Sequence, residues 1–249
     1  MRKSKLFNLS IVAENQASLL EELKALLLAK SAKRCALICT PNPEQIVLAK
    51  QNPIFAKMLA KADYLLPDGI GLVIASRLLR FFGKTNVSIS ERIAGVEVVS
   101  ELLAVASAKQ LPVLIIGGRS YAEVADYDNL HWIEAYRDKT KVLLNEEQAL
   151  ADKILSLKPK IVFVALGAPE QEAWLMEHRR LLDQAGVKLA MAVGGSFDFI
   201  FMKVARAPRA LQTLGLEWLW RLIMQPWRWR RQLNLLRFIA LTGRQIFQS

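Results

Sequence analysis

The stretch "KIVFVALGAPEQEAWLMEHRRLLDQAG", residues 160–186, reads as strand, turn and helix in immediate succession. "KIVFVALGAP" is an apolar run ending in a Gly-Ala-Pro turn, and "EQEAWLMEHRRLLDQAG" has helical periodicity, acids in its first turn and a closing Gly186. The unit recurs. "RCALICT" (34–40) precedes helical patterning over 42–62, opened by Asn42 as N-cap and Pro43 at the first position. "YLLP" (64–67) precedes a helix over 69–83, and "LPVLIIGG" (111–118) and "KLAMAVGGSFDFI" (188–200) are further strands with glycine turns. Other helices are predicted at 19–31, 95–110 and 146–159. Alternation of this kind gives an α/β fold with a mostly parallel, Rossmann-like sheet flanked by helices.

In such sheets ligands bind beyond the carboxyl ends of the strands. The strand-end turns are Thr40-Pro41-Asn42, Pro67-Asp68-Gly69, Gly117-Gly118, Gly167-Ala168-Pro169 and Gly194-Gly195-Ser196. Asp68 is the only acid directly at such an end. It reads either as a cap of the following helix or as a general base with glycines that let a substrate approach. The glycine turns at 117–120 and 193–196 could cradle phosphate through backbone amides. Neither matches a dinucleotide or phosphate-loop fingerprint. Gln171 and Glu172 open a helix, where an acid complements the dipole and an amide could read a sugar or base edge.

Composition narrows the class. The chain has 249 residues, is 53% hydrophobic and carries a net charge of +11. No uncharged apolar run of about 18 residues predicts a membrane span, and the N-terminus reads as no signal peptide. A cytoplasmic location is expected, peripheral if something attaches the chain to a membrane. Cys35 and Cys39 lie about 13 Å apart if both are on one strand, too far for a disulfide, so both are expected as buried strand residues. "DYD" (126–128) is a short match to a metal-binding acid pair without a preceding strand, and no metal is expected there. His131 and His178 have no metal-ligand spacing and are expected to be surface or structural.

The pattern changes near residue 203. From there the chain reads as helical, Trp- and Arg-rich and broken at Pro226, with nine basic residues against one acid, Glu217. The division expected is a core over 1–202 and a basic helical appendage over 203–249. Such charge asymmetry asks for an anionic partner: a membrane surface, nucleic-acid phosphates or a diphosphate gripped by arginines. The plain alternative is a helix packed on the core with a solvated basic face.

An ordered set of motifs goes further: "TPN" (40–42), "LPDGIGLV" (66–73), "ERIAG" (91–95), "LGAPEQEAW" (166–174), "VGGSFDF" (193–199), "RAP" (206–208) and "LEWLWRLIMQPWRWRR" (216–231). Together they resemble the WecG/TagA/CpsF family of glycosyltransferases. The resemblance implies an inverting, metal-independent enzyme that uses no cofactor. It would move an N-acetylmannosamine-type sugar from a UDP donor to a polyprenyl-diphosphate-linked GlcNAc in cell-surface polysaccharide synthesis, at the inner face of the membrane. By motif, Asp68 is the general base with Thr40 beside it. Asn42, Arg92, Gly117, Gly118 and Gln171 contact substrate, and Arg221, Arg228 and Arg231 reach the site from the appendage. Homo-oligomerisation is left open and no nucleic acid is expected. The segment 121–148 lacks the family's Y-P-x-L and H-G-Y-F-like stretches, and Gly95-Val96-Glu97 stands where Gly-x-Asp is usual; both changes fall at expected donor contacts. The alternative is a noncatalytic family member, acting as a membrane-associated or nucleotide- or nucleic-acid-binding module.

Overall fold

The computed structural model describes residues 1–30, 34–118, 129–134, 136, 143–201, 207–208, 211, 217–224, 226 and 229–247, except the side chains of 218, 221 and 229–232. A six-stranded parallel sheet runs in the order β4-β3-β8-β7-β5-β6. Its strands are β3 (Ala36–Cys39), β4 (Tyr64–Leu65), β5 (Val113–Ile116), β6 (Leu130–Ile133), β7 (Ile161–Val164) and β8 (Leu189–Ala192). Every neighbouring pair is parallel, as the strand–helix alternation predicts. The four central strands are apolar on both faces, as a sheet covered on both sides requires.

Alternate residues feed two cores. Leu37, Cys39, Val162 and Val164 point into one, shared with α2 (Pro43–Gln51), α3 (Pro53–Lys61), α4 (Ile70–Phe81), α6 (Leu144–Leu157), α7 (Glu170–Glu177) and α8 (Arg179–Gln184). Ile38, Ile161 and Phe163 point into the other, with α1 (Gln16–Leu28), α5 (Gly95–Ala108) and the short α9 (Ser196–Ile200). In α1, Leu19, Leu23 and Leu27 recur four apart and form its buried stripe, and Asn15 caps it by accepting from the Ser18 amide.

Four details depart from the expected elements, the edge strand β6 being one that was not expected. The pattern over 42–62 is two helices: Asn52 accepts from the Ile54 and Phe55 amides and Pro53 starts α3, so the chain caps and restarts. The pattern over 170–186 likewise divides at His178 into α7 and α8. An antiparallel hairpin of β1 (Lys3–Leu6) and β2 (Leu9–Val12) precedes the sheet and was not expected. Its two turn residues, Phe7 and Asn8, both have positive φ, 51° and 65°, as a two-residue hairpin turn demands. Phe7 is bulky for that conformation, and its ring packs on Phe238 with centroids 5.5 Å apart.

Phe238 belongs to the C-terminal part, which is helical as read: α10 (Glu217–Met224) and α11 (Trp229–Phe247). Helix α11 lies across α2 and α4, and Phe238 is buried in the first core. The approach is tight. A Cβ on Gly71, in the first turn of α4, would sit 2.9 Å from Cγ of Pro43 and 3.5 Å from the Phe238 ring. The proline ring cannot swing aside, so α4 and α2 must part to admit a methyl group. Gly71→Ala is expected to cost about 1–3 kcal/mol of stability, read by denaturant unfolding; an unchanged midpoint would show that the junction yields.

Candidate active site

Three turns at the carboxyl edge of the sheet are knitted together through the backbone. The Asp68 amide donates to the Pro41 carbonyl at 3.0 Å and to that of Leu66 at 2.9 Å, and the Ile93 amide donates to Pro67 O at 3.0 Å. Thr40, Asp68 and Arg92 are thereby held on one side of the strand ends. The N-cap of α4 is Gly69, at φ 136°, rather than Asp68. That φ is hostile to side chains, so the half-buried Asp68 is followed by a residue without one. Thr40 is nearly buried, its hydroxyl 3.5 Å from Ala192 O on β8. Asn42 serves as the predicted cap of α2, accepting from the Gln45 amide at 3.0 Å.

The next two strand ends join through Gln171. Its Oε1 accepts from the Gly194 amide at 2.9 Å, and its Nε2 donates to Oε1 of Glu172 at 2.9 Å. A side-chain amide has two hydrogens, so one remains beyond this bond. Glu172 is fully buried and also accepts from Nε2 of Gln45 at 3.3 Å. Burial pushes its carboxyl up to about 7, with Glu170 adding repulsion and the bonds from Gln171 and Gln45 acting the other way.

Arg92, a predicted substrate contact, forms a short ion pair with Glu217 of α10, the two side chains 15% and 21% exposed. The lone acid of the basic C-terminal part thus docks on the core's arginine. Gly117 and Gly118 close β5, where Trp132 Nε1 donates to their carbonyls at 2.9 and 3.2 Å; they are not among the residues lining the cavity described next. Arg221 and Arg231 lie in α10 and α11 with side chains outside the described set, and Arg228 and "DYD" lie outside the described residues. Among the described residues, no group of three His, Cys, Asp or Glu is placed to hold a metal ion. Both cysteines are buried and unbridged, their thiols raised by desolvation. His178 is structural: it stacks on Trp174 at 4.2 Å and bonds Glu147.

One cavity of about 1010 Å³ takes in Thr40, Asn42, Asp68, Arg92 and Gln171. Its polar walls come from the strand-end turns, including Gly194, Ser196 and Asp198. Its apolar walls come from helices: Ile74 and Leu78 of α4, Leu222 of α10, Leu235, Phe238 and Ile239 of α11. Such a site can take a ligand that is polar at one part and hydrocarbon at another.

The sequence has known relatives. A model described as the glycosyl transferase WecG/TagA/CpsF family matches residues 4–249. The chain belongs to that family. A relative from Bacillus subtilis (strain 168), named N-acetylglucosaminyldiphosphoundecaprenol N-acetyl-beta-D-mannosaminyltransferase, is 34% identical over 249 residues, covering 97% of this chain and 91% of its own. One of the same name from Bacillus spizizenii is 37% identical over 212 residues, covering 82% and 77%. Both names are enzyme names, which does not favour the noncatalytic alternative.

Sequence reasoning missed Gln45, Glu172, Asp198 and Glu217. Asp198 sits inside the quoted "VGGSFDF" motif, and Glu217 stood out as the only acid of the tail; both signals were present without a partner to give them meaning. The Arg92–Glu217 pair sets the register of α10 on the core, so unfolding free energies of Arg92→Ala, Glu217→Ala and the double variant are expected to show a coupling of about 0.5–3 kcal/mol. Additive effects would mean that the pair does not hold the two parts together.

Proposed function

We propose that this family member is an inverting glycosyltransferase that moves an N-acetylmannosamine-type sugar from UDP to the GlcNAc of a polyprenyl-diphosphate acceptor, without a metal ion. The carrying observation is that Thr40, Asp68 and Gln171, taken from three separate motifs, meet in one cavity that has polar strand-end turns on one part of its wall and apolar helix faces on another. The names of the two relatives support the acceptor and the sugar.

The chemistry follows from the placement. Asp68 takes the proton of an acceptor hydroxyl, and that oxygen attacks the anomeric carbon. The bond from this carbon to the diphosphate breaks from the opposite side, and UDP departs with the electron pair, so the configuration inverts. One base suffices. The charge growing on the leaving diphosphate needs cationic compensation; among the described residues Arg92 is the arginine that lines the cavity, where it is paired with Glu217, and Arg221, Arg228 and Arg231 supply more from the C-terminal part. Thr40 lies beside the base. Asn42 and Gln171 bind substrate.

The division into a core over 1–202 and an appendage over 203–249 carries the membrane role. Ile223, Leu233, Leu236 and Ile239 of the appendage are exposed, and so are Phe81 and Phe82 at the end of α4. Arg80, Arg237 and Arg244 stand on the same helices. Aromatic and aliphatic side chains among arginines suit the interface of an anionic bilayer. No helix among the described residues is long and apolar enough to cross one, so a peripheral position at the inner face is the reading.

The test follows UDP release from UDP-ManNAc and a short-chain polyprenyl-diphosphate-GlcNAc, with chelator present. Asp68→Asn is expected to lower kcat by about 100-fold or more, and truncation after residue 202 to abolish turnover. Full activity in Asp68→Asn would remove Asp68 as the base, and dependence on added divalent ion would remove the metal-free mechanism. Separately, co-sedimentation with anionic vesicles is expected for the whole chain and not for the truncated one; equal binding by both would take the membrane role from the appendage.

A further inference from the structure

Two buried acceptor atoms have no hydrogen-bond partner among the described residues and belong to side chains that already touch: Oε2 of Glu172 and Oε1 of Gln45. The contact between them is the 3.3 Å bond from Gln45 Nε2 to Glu172 Oε1. A carboxyl and a primary amide joined at one N–H···O bond can close a second bond between their remaining oxygens when the acid carries a proton. As a carboxylate, Glu172 would leave both buried oxygens, its own Oε2 and Gln45 Oε1, without a donor, which is costly. One proton resolves both. We propose that Glu172 is a neutral carboxylic acid whose Oε2–H donates to Gln45 Oε1, closing a two-bond acid–amide pair that positions Gln171 and the start of α2 at the active site.

The pair sits where orientation matters. Glu172 Oε1 also accepts from Gln171 Nε2 at 2.9 Å, and Gln171 Oε1 accepts from the Gly194 amide at 2.9 Å. The chain Gln45–Glu172–Gln171–Gly194 therefore ties α2, α7 and the turn after β8 into one unit. With its oxygen committed to Gly194, the Gln171 amide turns its NH2 toward Glu172 and keeps one hydrogen for a ligand. A neutral acid also places no negative charge beneath a cavity read as taking diphosphates; that part of the inference, and the positioning role, rest on the transferase reading.

The surrounding charges do not oppose a proton. Glu170 of the same helix raises the carboxyl further, and burial raises it most, to about 7. The Cys39 thiol of β3 is itself raised, chiefly by burial. Lys57 and Lys61 of α3, Lys50 of α2 and Arg180 of α8 are exposed, and Glu44 of α2 lies beside Gln45. Arg179 is bound to Asp63, and Asp183 accepts from the Cys35 amide. Strand β8, Leu189–Ala192, has no ionisable side chain.

The sign is definite. An acid whose folded value stands above its ordinary one binds more protons folded than unfolded, so stability falls as pH rises between 4.5 and about 7. Glu172→Gln keeps a donor and an acceptor and cannot ionise. Its melting temperature is expected to match wild type near pH 4.5, to exceed it increasingly as pH rises to about 7, and to keep a constant lead above that. The infrared band of a protonated carboxyl in wild type at pH 6 is expected to be missing from the variant. In the transfer assay, Glu172→Ala is expected to lose about tenfold, the order set by stranding a buried polar partner. Glu172→Gln should restore most of that loss and lack the alkaline fall in kcat/KM expected of wild type. Parallel melting curves, no carboxyl band, or a Glu172→Gln variant as impaired as Glu172→Ala would overturn the proposal. The melting and infrared arms need no turnover, so a failure of the transferase reading would leave them standing.

Discussion

At the carboxyl edge of the sheet, α4 and α2 begin so close together that no side chain fits at Gly71. The Pro43 ring fills the space a Cβ would need, and Phe238 closes it from the other side. This junction brings the Pro-Asp-Gly turn beside the Thr-Pro-Asn turn, so that the Asp68 amide reaches the Pro41 carbonyl. It also lets α11 settle across both helices. Widening the gap would separate Asp68 from Thr40 and lift the apolar wall at once, since both consequences pass through the same van der Waals contacts.

The cavity that results divides its labour by element type. Strand-end turns present backbone amides and short polar side chains, which a parallel sheet places there by topology. Helices present aliphatic walls. Between them, polar groups that cannot reach water are joined into networks: Gln171 spans two strand ends, and Glu217 meets Arg92 from a different part of the chain. Each group is committed to a neighbour in a low-dielectric setting, where a misplaced dipole is expensive. Orientation is therefore set before any ligand arrives.

Much of this was legible in the sequence. Buried parallel strands are unbroken apolar runs, and "VLII", "IVFV" and "LAMA" could hardly be anything else. The asparagine–proline start at Asn42-Pro43 was readable too, although the restart at Asn52-Pro53 inside the same helical stretch was not marked. Strand β6 was missed because "LHWI" is a half-exposed edge strand with mixed polarity. The β1–β2 hairpin was missed because Phe7 occupies a turn position that usually goes to Asn or Gly, and what favours it, the Phe238 ring, lies at the far end of the sequence. The site followed the same rule. Thr40, Asp68 and Gln171 stand in contiguous motifs and were named there; the contacts of Gln45 with Glu172 and of Glu217 with Arg92 join residues far apart in sequence and were not.

Residues far apart in sequence line the cavity together, Thr40 and Thr242 among them. Contacts between residues so far apart carry a larger loop-closure cost than local ones. The sheet can assemble from βαβ units while the reaction chamber is still open on the side that α11 covers. A partly folded chain would then hold the Asp68 turn without the helical wall that encloses it. Tying enclosure to a long-range contact means that the cavity is complete only in the finished molecule.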